Sequence, residues 1–356
     1  METLEEKNWH EFFLNQIFTV SAGKRLETRN KIPGLRPFIG AADNNNGVTG
    51  FIQNENASKD KNVLGVNYNG APCIAFYHPY SCLFSDDVKR LHLLQRKDEP
   101  WILLFFPAVF AMQKSKYTYG YKFKEQRMLR QKLMLPATSE GTPDYDYMSE
   151  YVKQKKSKLL ARYTAYVKRR LAELGAPLAI PELTEKEWRD FQLTKIFDMV
   201  SRGKRLKKAN HISGNIPYIS STAMTNGMDG TCGNSQGVRM FSDCLTLANS
   251  GSVGSCFYHP YKFIASDHVT ALKRKTHNPY IYLFLSILVG RLKEKYNFNR
   301  EINDSRIARE RILLPVDDNG VPDYAYMEQY VKNLLWKKYR QYLDFLEAQG
   351  KVDTIR

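Results

Sequence analysis

A histidine enclosed by two tyrosines is the motif of this 356-residue chain that looks most suited to catalysis, and it occurs twice. Tyr77-His-Pro-Tyr80 returns as Tyr258-His-Pro-Tyr261. Histidine can act as a general base or a metal ligand, but no second histidine or carboxylate stands at ligand spacing near either copy. We therefore predict a structural turn whose proline ends a strand, and we assign the chain no catalytic residue and no metal ligand.

Motifs of methyl transfer, metal-dependent cleavage and nucleotide hydrolysis are incomplete. Asn278-Pro-Tyr280 lacks the second proline with which amino-methyltransferases grip a flipped base, and no Gly-x-Gly-x-x-Gly or Gly-Lys-Ser/Thr run is present. Asp144 and Asp323 each follow a proline, but no Glu-x-Lys of a nuclease motif follows them. We expect each aspartate to cap a helix instead.

Residues suited to binding DNA are more evident than residues suited to catalysis. Gly23-Lys-Arg25 returns as Gly203-Lys-Arg205, and cations beside a flexible glycine suit a phosphate backbone or the acceptor edge of guanine. Loops at 43–47 and 222–227 are rich in Asn and Thr, which can read base edges and equally well form turns. The candidate DNA contacts are Lys24, Arg25, Asn44, Asn45, Lys204, Arg205, Lys207, Thr225 and Asn226.

These motifs are paired because the chain is one unit of about 180 residues written twice. Six blocks recur in the same order, beginning with Trp9 and Trp188. Others are Pro37-Phe-Ile39 with Pro217-Tyr-Ile219, and Leu135-Pro136 with Leu314-Pro315. A repeat this long and with only two copies predicts two globular domains rather than a solenoid.

Each copy ends in a long amphipathic helix. After Pro143 and Pro322, apolar residues recur at helical spacing without Gly or Pro for over 25 residues. The stripe residues expected at a helix–helix or subunit interface are Met148, Val152, Leu159, Tyr163, Met327, Val331, Leu334 and Tyr342. Because an isolated helix of this length is marginal in water, the stripe needs a partner, and the other helix, packed antiparallel as a coiled coil, is the economical one.

The globular parts are expected to be α/β (α+β), since clusters of Gly, Asn and Ser interrupt short aromatic and β-branched runs. One helix should cross each domain, at about 98–114 and 278–295. The predicted organisation is a first domain at 1–142, a central spacer helix at 143–176, a second domain at 177–321 and a C-terminal spacer helix at 322–356.

The charge balance favours a polyanionic partner. The chain holds 53 Lys and Arg against 37 Asp and Glu, a net charge of +16, and eight basic residues without an acidic one lie within 153–170. No apolar run is long enough to span a bilayer and the start is acidic, so we expect a cytoplasmic chain that does not bind membranes. Its five cysteines, odd in number and widely spaced, are expected to be buried free thiols.

Taken together, the duplicated Trp, Gly-Lys-Arg, Asn-Gly and Leu-Pro blocks, each set ending in a long helix, resemble the specificity subunits of type I restriction-modification systems. Pro-Asp-Tyr followed by Tyr-Met, at 143–148 and 322–327, is most similar to the related type IIB subunits of the BcgI kind. The choice between types I and IIB stays open.

The resemblance implies that DNA recognition and catalysis are carried out by different chains. Each globular unit would be a target recognition domain that reads one half of a bipartite site in double-stranded DNA. The helices would form an antiparallel spacer that docks two methyltransferase subunits, and those partners, not this chain, would bind S-adenosylmethionine and modify adenine. Whether a restriction subunit joins the complex is left open.

Two other functions compete with this one. The first is an enzyme, a fused methyltransferase or nuclease, against which the incomplete motifs speak. The second is an architectural protein that binds nucleic acid through its basic surface without reading the sequence, and its binding would depend strongly on salt and little on sequence.

Overall fold

The computed structural model describes residues 2–117 and 121–350. It divides into two compact units, Met1–Tyr163 and Thr164–Arg356. The order of helices and strands in the first unit is repeated in the second, as the duplicated sequence predicts.

In its described residues the first unit contains ten strands, followed by a long helix that continues into the second unit. The strands are β1 (Trp9–Phe13), β2 (Phe18–Ala22), β3 (Pro33–Ile39), β4 (Val48–Ile52), β5 (Lys59–Asp60), β6 (Val63–Asn67), β7 (Ala75–His78), β8 (Cys82–Phe84), β9 (Val88–Leu93) and β10 (Lys132–Pro136). The helices are α1 (Leu14–Ile17), α2 (Pro100–Leu103), α3 (Phe106–Ala111), α4 (Glu125–Leu129) and α5 (Tyr145–Leu174).

The second unit repeats this pattern. Its strands are β11 (Trp188–Gln192), β12 (Met199–Arg202), β13 (Ile216–Ile219), β14 (Met228–Cys232), β15 (Arg239–Phe241), β16 (Cys244–Ala248), β17 (Cys256–His259), β18 (Phe263–Ala265), β19 (Val269–Lys273) and β20 (Arg311–Pro315). Its helices are α6 (Leu193–Ile196), α7 (Pro279–Gly290), α8 (Asp304–Ile307) and α9 (Tyr324–Ala348).

The sheets have the same topology in both units. The first unit has sheets ordered β2-β9-β6-β7 and β4-β3-β8-β5, and the second has β12-β19-β16-β17 and β14-β13-β18-β15. A pair, β1-β10 or β11-β20, joins the start of each domain to its end. The pairings are antiparallel except for β3 with β8 and β13 with β18, which are parallel. The mixed α/β class expected from the sequence is confirmed.

The helix expected at 98–114 is interrupted, whereas its counterpart in the second domain is continuous. Residues 100–111 form two short helices, α2 and α3, and Pro107 lies in the first turn of α3. A proline has no N–H and its ring clashes with the carbonyl four residues earlier, so one uninterrupted helix cannot form there. In the second domain α7 runs through Pro279–Gly290, because its only proline stands in the first turn, where it is tolerated.

Helices α5 and α9 begin in the same way, and this confirms the capping role expected for the aspartates. Asp144 accepts the backbone N–H of Tyr147 at 2.9 Å, and Lys7 Nζ lies 2.8 Å from its carboxylate. Asp323 accepts the N–H of Tyr326 at 2.9 Å, and Lys186 Nζ lies at 2.8 Å. Burial alone would raise the pKa of each aspartate, but the lysine and the backbone N–H outweigh it and lower the pKa.

The first turns of both helices belong to the domain cores, not to a seam between helices. Met148 is fully buried and Val152 packs beside it in the first core, while Met327 and Val331 are buried in the second. The prediction that these four residues form a helix–helix interface is therefore wrong. The physical reason is that short connections lead from β10 and β20 into the helices, each closed by a bridge, Ala137 with Pro143 and Val316 with Pro322, so the first turns lie against their own domain.

The later members of the stripe are more accessible. Leu159, Tyr163 and Leu334 are exposed and Tyr342 is half-buried. Their role at an interface stays a prediction, as does the four-part division of the chain.

Replacing Met148 by Ala should destabilise the protein by about 2–5 kcal/mol, because the shortened side chain leaves a cavity in the first core. Leu159→Ala on the same helix, where the side chain is 63% exposed, should change stability by less than about 0.5 kcal/mol. Chemical denaturation of both variants measures the difference. Equal effects would contradict the assignment of Met148 to the domain core.

Candidate nucleic-acid interface

The Gly-Lys-Arg loops are tethered by their backbone, which leaves the cationic side chains free. Lys24 N–H donates to the carbonyl of Phe84 at 2.9 Å, and Lys204 N–H donates to that of Ala265 at 3.0 Å. A Cβ atom on Gly23 would lie 2.0 Å from the carbonyl oxygen of Ser85. On Gly203 it would lie 2.1 Å from that of Ser266, so glycine is required at both positions.

In each domain an asparagine binds the end of the Gly-Lys-Arg loop that is distant from the glycine. The sequence analysis did not identify this residue, which is half-buried in the first domain and buried in the second. Asn54 Oδ1 accepts the N–H of Ile32 at 2.8 Å, and its amide donates to the carbonyl of Asn30 at 3.0 Å. In the second domain Asn234 makes the same two bonds, at 2.9 and 3.0 Å, to residues 212 and 210. The signal available was the recurrence of an asparagine 180 positions later, within segments that otherwise differ.

The Asn/Thr loops are tight turns closed by backbone bonds. Gly40 N–H donates to Gly47 at 2.8 Å, and Ser220 N–H donates to Gly227 at 2.9 Å. Asn44 and the left-handed Asn45 (φ 48°) are exposed in the first loop, as are the left-handed Thr225 (φ 48°) and Asn226 (φ 54°) in the second.

Thr225 stands out in this loop because a β-branched residue rarely adopts a left-handed conformation. Its hydroxyl donates to the carbonyl of Met228 at 3.1 Å, so the oxygen can only accept a hydrogen bond from a ligand. Such backbone strain is concentrated at functional sites in proteins, which makes this loop a candidate for direct contact.

These loops meet at one edge of each domain, which we call the loop edge. It comprises residues 23–32, 40–47, 68–73 and 85–87 of the first domain and residues 203–212, 220–227, 249–255 and 266–268 of the second. Ser85 N–H bonds to Ile39 at 2.8 Å, next to the tether of Lys24. In the second domain Ser266 N–H bonds to Ile219 at 2.9 Å, and Ser252 N–H bonds to Ser221 at 2.9 Å.

The cations of the loop edge are exposed and little neutralised. Lys24, Lys204, Arg205 and Lys207 form no ion pair with any residue that the structure describes. Arg25 lies 4.0 Å from Glu27 with both side chains largely exposed, an arrangement that contributes little to stability. These side chains are therefore available to an anionic ligand such as a phosphate backbone.

The basic stretch on α5 is also exposed, but several of its charges have partners. Lys156 lies over the ring of Trp101 at 4.7 Å and Lys155 over that of Tyr151 at 5.2 Å. Arg170 pairs with Glu173. This stretch thus offers a weaker case for binding DNA than the loop edge does.

The histidines of Tyr-His-Pro-Tyr lie inside the domains. His78 and His259 are fully buried, and their Nδ1 atoms lie 3.4 and 3.2 Å from the hydroxyls of Tyr80 and Tyr261. Burial lowers the pKa of both histidines to about 4. A ring that is neutral and closed off from solvent cannot exchange protons with a substrate, which agrees with the structural turn expected for this motif.

Three further features of the described residues concern possible metal ligands, cysteines and membrane-spanning helices. No group of three or more His, Cys, Asp or Glu among residues 2–117 and 121–350 is placed to hold a metal ion. The cysteines are free; four are buried, as expected, and Cys256 is half-buried. No described helix is both long and apolar enough to cross a membrane.

A charged cluster distinguishes the first domain from the second. His92 on β9 lies 3.0 Å from Asp60 and 2.7 Å from Asp98, and Arg90 also lies 3.0 Å from Asp60. Since Asp60 belongs to the other sheet, the cluster links the two sheets. Burial alone would lower the pKa of His92, but the hydrogen bonds and charges of Asp60 and Asp98 raise it above its ordinary value.

The match to a protein-family model identifies the family of the chain. Residues 6–162 and 185–341 each match the model of the type I restriction modification DNA specificity domain. The chain therefore belongs to this family and carries two copies of its domain in tandem.

Among known proteins, the specificity subunit S.BcgI of a type II restriction enzyme from Heyndrickxia coagulans is 46% identical over 164 residues. The match covers 46% of this chain and 48% of the relative, so the chain spans about half the length of the curated relative it matches.

Two solved structures align with nearly the whole chain. The S subunit of a type I restriction-modification system from M. genitalium is 15% identical, with 100% of this chain and 96% of that chain covered and a TM-score of 0.48. The HsdS subunit from Thermoanaerobacter tengcongensis is 14% identical, with 97% and 93% covered and a TM-score of 0.32.

Asn54→Ala should release the basic loop at residues 24–32, because two hydrogen bonds that hold its end are lost, at a cost of about 1–2 kcal/mol. Trypsin should then cut after Lys24, Arg25 or Arg29 faster than in the unaltered chain. Asn15→Ala, at an exposed position of α1, is the matched control. Identical cleavage rates in both variants would show that Asn54 does not restrain the loop.

The His92 cluster predicts that stability declines as the pH rises. Because the folded-state pKa of His92 is raised, its contribution is complete below about pH 6.5 and is lost as the pH rises through the folded value. The thermal midpoint should therefore fall between pH 6 and 8.5, and less so in His92→Gln. His10→Gln, at an exposed histidine, should keep the full slope; a slope unchanged in His92→Gln would refute the assignment.

Proposed function

We propose that this chain is the DNA specificity subunit of a restriction-modification complex, each domain reading one half of a bipartite site in double-stranded DNA. The observation that carries the proposal is the duplicated loop edge. Both domains hold exposed cations on a loop tethered by glycine and clamped by asparagine, with a polar turn beside it. Membership of the specificity-domain family supports the same conclusion.

The duplication also accounts for a site with two different halves. Two domains of one fold can present equivalent edges to two segments of DNA, as the subunits of a dimer do with a palindrome. Within one chain, however, the loops are free to differ. Asn44 of the first domain corresponds to Met224 of the second, so the base contacts can differ while the cations hold the backbone in both.

We further propose that α5 and α9 form an antiparallel spacer between the two domains. Contacts within the second unit support this arrangement. The hydroxyls of Tyr166 and Tyr339 lie 3.3 Å apart, and the N–H of Leu178 donates to Asn333 Oδ1 at 3.1 Å. As the residue number rises from 166 to 178 in the first segment, the number of its partner in α9 falls from 339 to 333, so the two segments run antiparallel.

The catalytic work is assigned to partners. Two methyltransferase subunits would bind S-adenosylmethionine and modify adenine, and nuclease activity would reside outside this chain. The incomplete catalytic motifs and the burial of His78 and His259 support a chain that selects the DNA site without itself reacting.

The decisive experiment maps methylated adenine in the host genome by long-read sequencing, with the gene intact and deleted. We expect methylation at one split motif to disappear upon deletion, which also gives both half-sites and their spacing. If no motif changes while the partner genes are expressed, sequence-specific recognition is refuted and a sequence-independent basic binder takes its place.

Replacing Lys204 and Arg205 together by Ala should lower methylation of the mapped motif without changing its sequence, because phosphate contacts position a protein but do not specify bases. With the purified complex, the slope of log affinity against log salt should decrease by roughly 2, about one per lost contact. The control is Lys262→Ala with Lys275→Ala, which removes the same charge from two exposed lysines. Lys262 precedes β18 and Lys275 follows β19, so both lie at the ends of these strands that are away from the loop edge. An equal decrease in the control would show that only net charge matters.

A further inference from the structure

A tight turn beyond α7 presents an aromatic ring to solvent. Asn297 and Arg300 form an isolated antiparallel bridge, with Arg300 N–H donating to Asn297 at 2.9 Å, so Phe298 and Asn299 are the two central residues of the turn. The side-chain oxygen of Asn297 accepts the N–H groups of both Asn299 and Arg300, at 3.0 and 3.2 Å. These hydrogen bonds define the shape of the turn without any contribution from its exposed tip.

Phe298 is the most exposed aromatic residue among those the structure describes, at 75%. The exposed ring adds little buried apolar area to the core, so the fold does not depend on it and the ring is accessible to a ligand. The same turn carries a cation. Arg300 lies over the buried ring of Tyr296 at 5.2 Å and has no ion pair among the described residues. An exposed ring and a guanidinium without an ion pair on one turn suit a polyanion that also offers apolar surface.

The turn is joined to the loop edge of the second domain. Ile302 N–H donates to the carbonyl of Asn249 at 3.0 Å, at the start of the 249–255 loop. Arg202, which directly precedes the Gly-Lys-Arg loop, lies 4.0 Å from Asp304. The base of the turn is held by Tyr296 and Lys295, both of which bond to the buried carboxylate of Glu310. The segment that follows the turn is thus bonded directly to the loop edge of the second domain.

We propose that Phe298 is a DNA wedge, whose ring inserts between neighbouring bases of the half-site on the second domain while Arg300 contacts the adjacent phosphate. This inference rests on the proposed function and adds a contact that depends on base stacking rather than on hydrogen bonds to base edges. Proteins that insert Phe or Leu at a base step unstack it and kink the duplex, and steps differ in how easily they yield. Phe298 therefore contributes to specificity at the step where it enters.

The first domain carries an aromatic residue at the equivalent sequence position. Tyr117 corresponds to Tyr296, and Phe123 N–H donates to Tyr68 at 3.2 Å as Ile302 does to Asn249. Tyr119 then corresponds to Phe298, although it lies outside the described residues. An aromatic residue at the same place in both copies favours a function shared by the two half-sites.

The test uses the complete complex and duplexes that carry the mapped motif, with 2-aminopurine replacing one adenine at a time in the half-site of the second domain. Insertion of the ring unstacks the probe, so its fluorescence should rise several-fold at one step upon binding. In Phe298→Ala this rise should disappear and affinity should fall roughly 5- to 150-fold, as for loss of one base–aromatic stack. Phe298→Tyr should retain most of both signals.

Ile287→Ala, which removes a 71% exposed apolar side chain from α7, is the control and should leave both signals unchanged. Thermal unfolding of each variant shows whether the fold is retained. If the unaltered complex binds the motif but no probe brightens, or if Phe298→Ala binds as the unaltered complex does, the wedge is refuted and the proposed function stands. Failure of the unaltered complex to prefer the motif would instead refute the proposed function.

Discussion

The close approach of two backbones, at Gly23 with Ser85 and at Gly203 with Ser266, is the constraint on which the rest of the loop edge depends. A side chain at either glycine would collide with a carbonyl oxygen at about 2 Å. Because glycine permits this approach, the N–H of Lys24 bonds to the last residue of β8, and the N–H of Lys204 bonds to the last residue of β18. In each domain the basic loop therefore begins beside the polar turn that follows the neighbouring strand, β3 or β13.

This arrangement explains how cations can be both exposed and well placed. Lys24 and Lys204 are positioned by backbone bonds and not by their side chains, so their ammonium groups remain available. Other cations are held by carboxylates in half-buried pairs, as at Lys7 with Asp144 and Lys186 with Asp323. The net charge of +16 therefore says less about where an anion would bind than the exposed cations of the loop edge do.

The start of each domain is fastened to its long helix by equivalent bonds. Tyr147 donates to the carbonyl of Glu2 at 3.1 Å, and Tyr326 donates to that of Pro181 at 3.0 Å. With Met148 and Met327 buried in the two cores, the first turns of α5 and α9 are packed as parts of their own domains.

The duplication, the mixed α/β class, the positions of the two long helices and the capping by Asp144 and Asp323 could all be predicted from the amino-acid sequence, because repetition, periodicity and cap chemistry are local properties of a chain. The sequence also singled out the Gly-Lys-Arg loops. Which apolar residues of a helical stripe are core residues could not be predicted in this way, since Met148 and Leu159 have the same periodicity and differ only in what lies opposite them in the fold. The clamp of Asn54 and the exposure of Phe298 were likewise decided by the fold, because bonding partners distant in the chain and access to solvent are not written in local sequence.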